Sequence, residues 1–244
     1  MGEILIFTRI VIILILVASQ PSYAETFSVG ETQVGPLFSP EGPGVGRYRL
    51  GVGMQLEILP VRLVESEQQE IPEVAAAFRY GLPYNLTLDA RFHGVVIKND
   101  ADVGVSWTLK FGNVYVAPSL RLGLRFGWMN SASFDTNSWG LVTRPGVAAG
   151  FSWRNLRFSI SQEFILSHDQ HIRIGDIQLR IPGNFDYEGI VVTAVVETIT
   201  PQGKILYFGF GLQWTSNYDQ AWIAFSDDHT SRAYFPRLMA GYVF

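Results

Sequence analysis

The chain has no cysteine, only 16% charged residues and 4 histidines among 244 positions. Missing thiols exclude a disulfide scaffold, a thiolate zinc site, a catalytic cysteine and a lipidated N-terminal cysteine. Soluble globular domains carry about a quarter charged residues, so this surface is short of charge. Long apolar runs are missing as well, apart from one at the N-terminus. A helical membrane span needs about 20 apolar residues in a row, which excludes a polytopic helical protein. The net charge of -4 leaves no basic footprint for nucleic acid. No phosphate loop, dinucleotide fingerprint, metal-ligand helix or nucleophile elbow occurs, so no cofactor and no resident metal is implied. What the chain does have is glycine (24) and aromatics (14%).

Residues 1–24 have the layout of a secretory signal peptide. Arg9 supplies the positive residue, Ile10 to Ala18 the short apolar core, and Ser22-Tyr23-Ala24 a small-x-small cleavage site. A membrane anchor is the rival reading, but the apolar stretch is short and Pro21 suits a peptidase better. Residues 25–46 follow as a Gly/Pro-rich lead-in without a sustained period, expected as a periplasmic or plug segment.

From residue 47 to 244 the register is strict. Tyr48, Leu50, Val52, Met54, Leu56 and Ile58 alternate with Arg49, Gly51, Gly53, Gln55 and Glu57. Successive side chains of a strand point to opposite faces, so this is one greasy and one polar face. Equivalent apolar series run through 74–82, 86–96, 103–111, 120–128, 139–153, 156–166, 190–196, 206–214 and 234–244. Most have the roughly 10 residues that a tilted strand needs to cross a bilayer. Tight turns at Pro83-Tyr84-Asn85, Gly112-Asn113, Arg154-Asn155 and Pro201-Gln202-Gly203 alternate with longer polar connections at 59–72, 98–102, 129–137, 167–185 and 216–230. Short turns at one end and long loops at the other organise outer-membrane barrels, with the short turns periplasmic. The pattern predicts an all-β, transmembrane, antiparallel up-and-down β-barrel of ten strands. Weak alternation at Ile172 to Ile181 leaves eight or twelve open.

A soluble sandwich or lipocalin-like barrel alternates too, with its greasy face inward. Here the greasy face carries aromatics at strand ends: Phe111 and Trp153 beside short turns, Trp128, Trp139 and Trp214 beside long loops. Two such girdles mark the interfaces of a membrane barrel, and glycines such as Gly123 and Gly150 on the other face suit a narrow lumen. Pro118, Pro145 and Pro236 inside strands each lose a ladder hydrogen bond, for which bulges are the expected accommodation.

The chain ends Tyr234-Phe-Pro-Arg-Leu-Met-Ala-Gly-Tyr-Val-Phe244, with Tyr242 two before the terminal Phe244. This resembles the C-terminal β-signal of bacterial outer-membrane proteins. The resemblance implies Tyr242 and Phe244 as an assembly signal, the outer-membrane assembly machinery as a partner, and the outer membrane of a Gram-negative bacterium as the location. The lead-in followed by Tyr80-Gly81-Leu82-Pro83 is also similar to outer-membrane transport-type barrels. The lipid bilayer and lipopolysaccharide are the further partners such a location implies.

Opposite parity places Arg49, Arg79, Arg91, Lys110, Arg121, Arg125, Arg144, Arg157 and Arg237 in the lumen, against Glu57, Glu73, Asp89, Glu163 and Glu197. Ten strands enclose little more room than side chains can fill, which predicts a scaffold packed with paired charges. The arginine surplus supports instead a narrow, anion-favouring diffusion channel for small solutes. The reading is of a protein that is not an enzyme. The contrasting classes are a loop-mediated surface binder and a rim hydrolase. Asp100 and Asp102 in one loop, and Asp169 and His171 in another beside His168, could activate a water between them. That spacing resembles the omptin family of ten-stranded rim proteases, although the loops here are far shorter. Asp227-Asp228-His229 is a comparable cluster that would suit a divalent cation, and His93 near Asp89 reads as a lumen hydrogen-bond partner.

Overall fold

The computed structural model describes residues 37–58, 70–95, 98–131, 134–200, 204–216 and 232–244. The expected signal peptide at 1–24, most of the lead-in and Asp227-Asp228-His229 lie outside those residues. Among the described residues no helix is long and apolar enough to cross a membrane. The strands are β1 (Tyr48–Ile58), β2 (Glu70–Gly81), β3 (Leu86–Val95), β4 (Lys98–Trp107), β5 (Leu109–Phe111) and β6 (Val114–Ser131). They continue as β7 (Phe134–Trp153), β8 (Leu156–Ile174), β9 (Ile177–Ile181), β10 (Asp186–Ile199), β11 (Ile205–Ser216) and β12 (Arg232–Val243).

Every pairing among them is antiparallel. Neighbours in sequence pair in turn, β10 returns to β8, and β12 closes on β1 from Gly51↔Val243 to Glu57↔Arg237. The wall therefore has ten strands. β5 continues β4 along β6, and β9 pairs only with β8, in a hairpin beyond the wall. Closure leaves no unpaired edge in the wall, which a bilayer demands because lipid offers backbone groups no partner.

The side chains are sorted as in a membrane barrel. Outside, Met54, Val74, Leu122 and Phe208 are each about 61–62% exposed, while inside Glu57, Glu73 and Glu197 are each 1% exposed. A continuous outward apolar belt around a charged interior is the reverse of a soluble domain, and only hydrocarbon solvates it. Phe111 and Trp153 stand exposed beside the short turns, Trp128 and Trp139 toward the other end.

The prolines correct one expectation. The wall accommodates them with lapses in a ladder rather than with bulges. Opposite Pro118 the β4–β6 ladder stops at Ser106↔Ser119 and resumes in β5 at Leu109↔Val116. At Pro145 the β7–β8 ladder skips from Thr143↔Leu166 to Gly146↔Glu163, and Pro236 lies one residue past the end of the β1–β12 ladder. In each case the missing N–H falls on one side of the strand and pairing on the other side continues.

Connections also differ from expectation. Residues 98–102 belong to β4, and 129–137 and 167–181 are carried largely by strand. β6, β7 and β8 are 18, 20 and 19 residues long, well beyond the roughly 10 needed to cross. With β9 they form a four-stranded sheet standing above the wall at the end opposite Leu37 and Phe244. Gly175, at φ 56, makes the β8–β9 turn, a left-handed position that glycine takes without strain.

Candidate functional site

The interior has two layers, a peptide plug and a charge network. Leu37 to Gly44 fold into the mouth at the short-turn end. Glu197 of β10 receives three successive backbone N–H groups, from Leu37 at 2.6 Å, Phe38 at 3.1 Å and Ser39 at 2.9 Å. Across the barrel, the Arg79 guanidinium of β2 donates to the carbonyls of Leu37 at 3.1 Å and Ser39 at 2.6 Å. Thr108 donates to the Pro40 carbonyl at 2.7 Å, and Arg157 pairs with Glu41 at 3.4 Å. The segment is thus gripped mainly through its backbone, by groups on opposite walls.

Glycines on the lumen face make the room. A side chain at Gly81 would meet the Pro43 and Gly44 carbonyls, one at Gly150 the Pro40 ring, and one at Gly51 the Leu37 side chain. Leu37 packs into a small apolar cluster of Val195, Ile205, Tyr207 and Val243, and the Phe38 ring lies 4.7 Å from that of Tyr207. Buried apolar residues also occur toward the other end, among them Val142, Ile165 and Phe235, and the section between is lined mainly by charge.

In that network, Arg91 bridges Asp102 at 3.0 Å and Glu163 at 2.9 Å, and Arg121 reaches Glu163 at 2.7 Å. Arg144 joins Asp100 and Asp102. Arg79 pairs with Asp89 at 3.0 Å, Arg125 with Glu188 at 2.8 Å, and Arg237 with Glu57 at 2.6 Å. Lys98 lies between Glu57 and Glu73, at 2.6 Å and 3.5 Å. Among the described residues, a cavity of about 60 Å³ lies between plug and network, lined in part by Phe38, Arg79, Arg91 and Glu163. That is room for a few waters.

The arginine surplus expected from parity is absent. Buried or nearly buried in the lumen are the cations Arg79, Arg91, Lys98, Arg121, Arg125, Arg144 and Arg237. They face the carboxylates of Glu57, Glu73, Asp89, Asp100, Asp102, Glu163, Glu188 and Glu197. The other three expected cations sit at the mouth: Arg49 donates to the Tyr48 carbonyl, Lys110 is exposed with its ammonium 5.5 Å over the Tyr115 ring, and Arg157 holds the plug. Lys98, Asp100 and Asp102 fall in the stretch expected as a loop at 98–102, and alternation carried back from Ile190 would face Glu188 outward. Glu188 turns inward because β10 carries a bulge between Tyr187 and Gly189, which breaks the period.

The four hydrolase candidates are not brought together. Asp100 and Asp102 are buried strand residues inside the barrel, salt-bridged to Arg144. A register shift near Gly140 turns the upper part of β8, so that His171 stacks on Trp139 at 4.1 Å on the outer surface. Asp169 pairs with Arg180 there. The wall of the barrel separates the two pairs. His93 lies 3.8 Å from Asp100 rather than pairing with Asp89, and His168 meets Thr143 at 2.7 Å on the outer face. No cluster of three metal-ligating side chains occurs among the described residues. Tyr242 and Phe244 pack edge to face at 4.7 Å beside the short turns, and the terminal N–H of Phe244 donates to Leu50.

No protein-family model matches the chain, and no curated protein does. Solved structures with a similar course of chain are bacterial β-barrels. The outer membrane protease OmpT from Escherichia coli has 7% identity and a TM-score of 0.48 over 86% of this chain and 98% of its own. The translocator domain of autotransporter NalP from Neisseria meningitidis has 8% identity and a TM-score of 0.42 over 82% and 88%. Neisserial surface protein A has 7% identity and a TM-score of 0.37 over 80% and 94%.

Proposed function

We propose that this protein is an outer-membrane β-barrel that works as a closed scaffold, holding the β6–β9 sheet above the membrane rather than conducting solute. The observation that carries this reading is the doubly filled interior. A plug bonded to opposite walls closes one mouth, and a balanced set of ion pairs fills the section above it. Charges of a narrow barrel that are paired to each other are not available to a passing ion, which must lose its hydration shell to enter. The role is structural rather than catalytic.

Planar-bilayer recording of the purified, folded protein tests it. The expected result is an insulating membrane with no single-channel events. Discrete conductance steps would overturn the scaffold reading in favour of a narrow channel. In that case replacing Arg121 and Arg125 by Glu should shift ion selectivity toward cations.

A further inference from the structure

We propose that the outward cluster of Tyr187, Trp214, Arg232 and Tyr234 docks the phosphorylated headgroup of an outer-leaflet glycolipid, with Arg232 as the phosphate contact. This deepens the membrane-scaffold reading and rests on it. Arg232 opens β12 at the end away from Phe244, opposite Ser216. Its neighbour Ala233 is fully buried inside the wall, so alternation turns Arg232 outward, on the side of Trp214 and Tyr234. Its guanidinium lies 4.6 Å over the Trp214 ring and 4.8 Å over the Tyr187 ring. It also donates to the Tyr187 carbonyl at 3.1 Å. Trp214 and Tyr234 are 6.4 Å apart, and below them Phe210 and Leu238 continue the lipid-facing belt.

A cation on the lipid-facing wall is costly in hydrocarbon and settles at headgroup level, where the anions are lipid phosphates. A guanidinium is planar, keeps its charge and matches phosphate with parallel N–H groups. Two rings and a carbonyl fix this one's direction, so little ordering entropy is left to lose on binding. The other girdle repeats the device more loosely, with Arg154 5.4 Å over Trp153 and Lys204 5.6 Å over Tyr242. Among the described residues, the Arg232 site alone has two rings and a backbone anchor on one cation. Its place at the long-loop end puts it in the outer leaflet.

The test uses folded, delipidated protein and native mass spectrometry with three probes: bisphosphorylated lipid A, the same lipid without phosphates, and phosphatidylethanolamine. Retention of lipid A at least tenfold above both other lipids is expected. Arg232→Gln should abolish that preference, whereas Arg154→Gln and Lys204→Gln should leave it intact. Equal retention of the phosphorylated and dephosphorylated lipid, or an undiminished preference in Arg232→Gln, would overturn the proposal. Displacement of lipid A by millimolar inorganic phosphate would show a free-anion site and overturn the lipid assignment. Insertion into vesicles as β-sheet is measured first, and its failure would refute the membrane reading itself.

Discussion

Glu197 should be the residue on which the plug depends. Its carboxylate, 1% exposed, takes three successive backbone N–H groups, those of Leu37 and Ser39 buried and that of Phe38 partly so. Hydrogen bonds to a charged partner contribute about 1.5–3 kcal/mol each, so at the low end the three hold the plug by ~4.5 kcal/mol, roughly a thousandfold in docking equilibrium. If half of that is offset when water resolvates the freed groups, ~2 kcal/mol, or about thirtyfold, is left. Because the chain has no cysteine, a single Ser39→Cys reports on docking without background. Ser39 is fully buried, so this thiol should resist a membrane-impermeant maleimide in the parent. It should label at least thirtyfold faster when Glu197→Ala is added, with β-sheet circular dichroism unchanged. Glu197→Gln keeps one accepting oxygen and should fall between. Equal protection with and without the carboxylate would refute the idea that it holds the plug. Rapid labelling of Ser39→Cys alone would show that the plug is not seated.

Gly81→Val should displace the plug as well, since its side chain would meet the Pro43 and Gly44 carbonyls, and the same maleimide assay reads the result. Arg144→Ala takes one cation from Asp100 and one from Asp102, which keep Arg125 at 3.5 Å and Arg91 at 3.0 Å, and should lower unfolding stability in urea and detergent by about 1.5–3 kcal/mol. Adding Asp100→Asn and Asp102→Asn to that variant should recover a measurable part of the loss, and no recovery would argue against direct pairing. Tyr207→Ala removes a ring that lies across Gly53 and Gly241 and against Phe38. It should cost about 3–5 kcal/mol in the same unfolding assay.

Period-two alternation was enough to place the wall, because each transmembrane strand has hydrocarbon on one side and a charged lumen on the other. It failed where that contrast weakens. Lys98 to Asp102 reads as loop because this end of β4 offers only Ala101 as an apolar outward residue between Asn99 and Val103. Yet Asp100 and Asp102 are central to the network. Glu188 was hidden by a bulge, and the outward turn of Asp169 and His171 by a register shift that no local pattern announces. The lead-in was visible only as Gly/Pro-rich sequence. Its partner Glu197 lies 160 residues away from Leu37, and the clues available were Gly51, Gly81 and Gly150 on the inner face.

The plug is joined to β1 by a very short leash. Only Val45, Gly46 and Arg47 separate Gly44 from Tyr48, and these are themselves tied back, Gly46 to the Gly81 carbonyl and Arg47 to that of Gly44. So brief a tether gives the segment a local concentration in the millimolar range or above at its own socket. A freely diffusing peptide of equal fit would have to reach that concentration to compete. A plug that leaves its socket therefore rebinds before a dilute competitor can take its place.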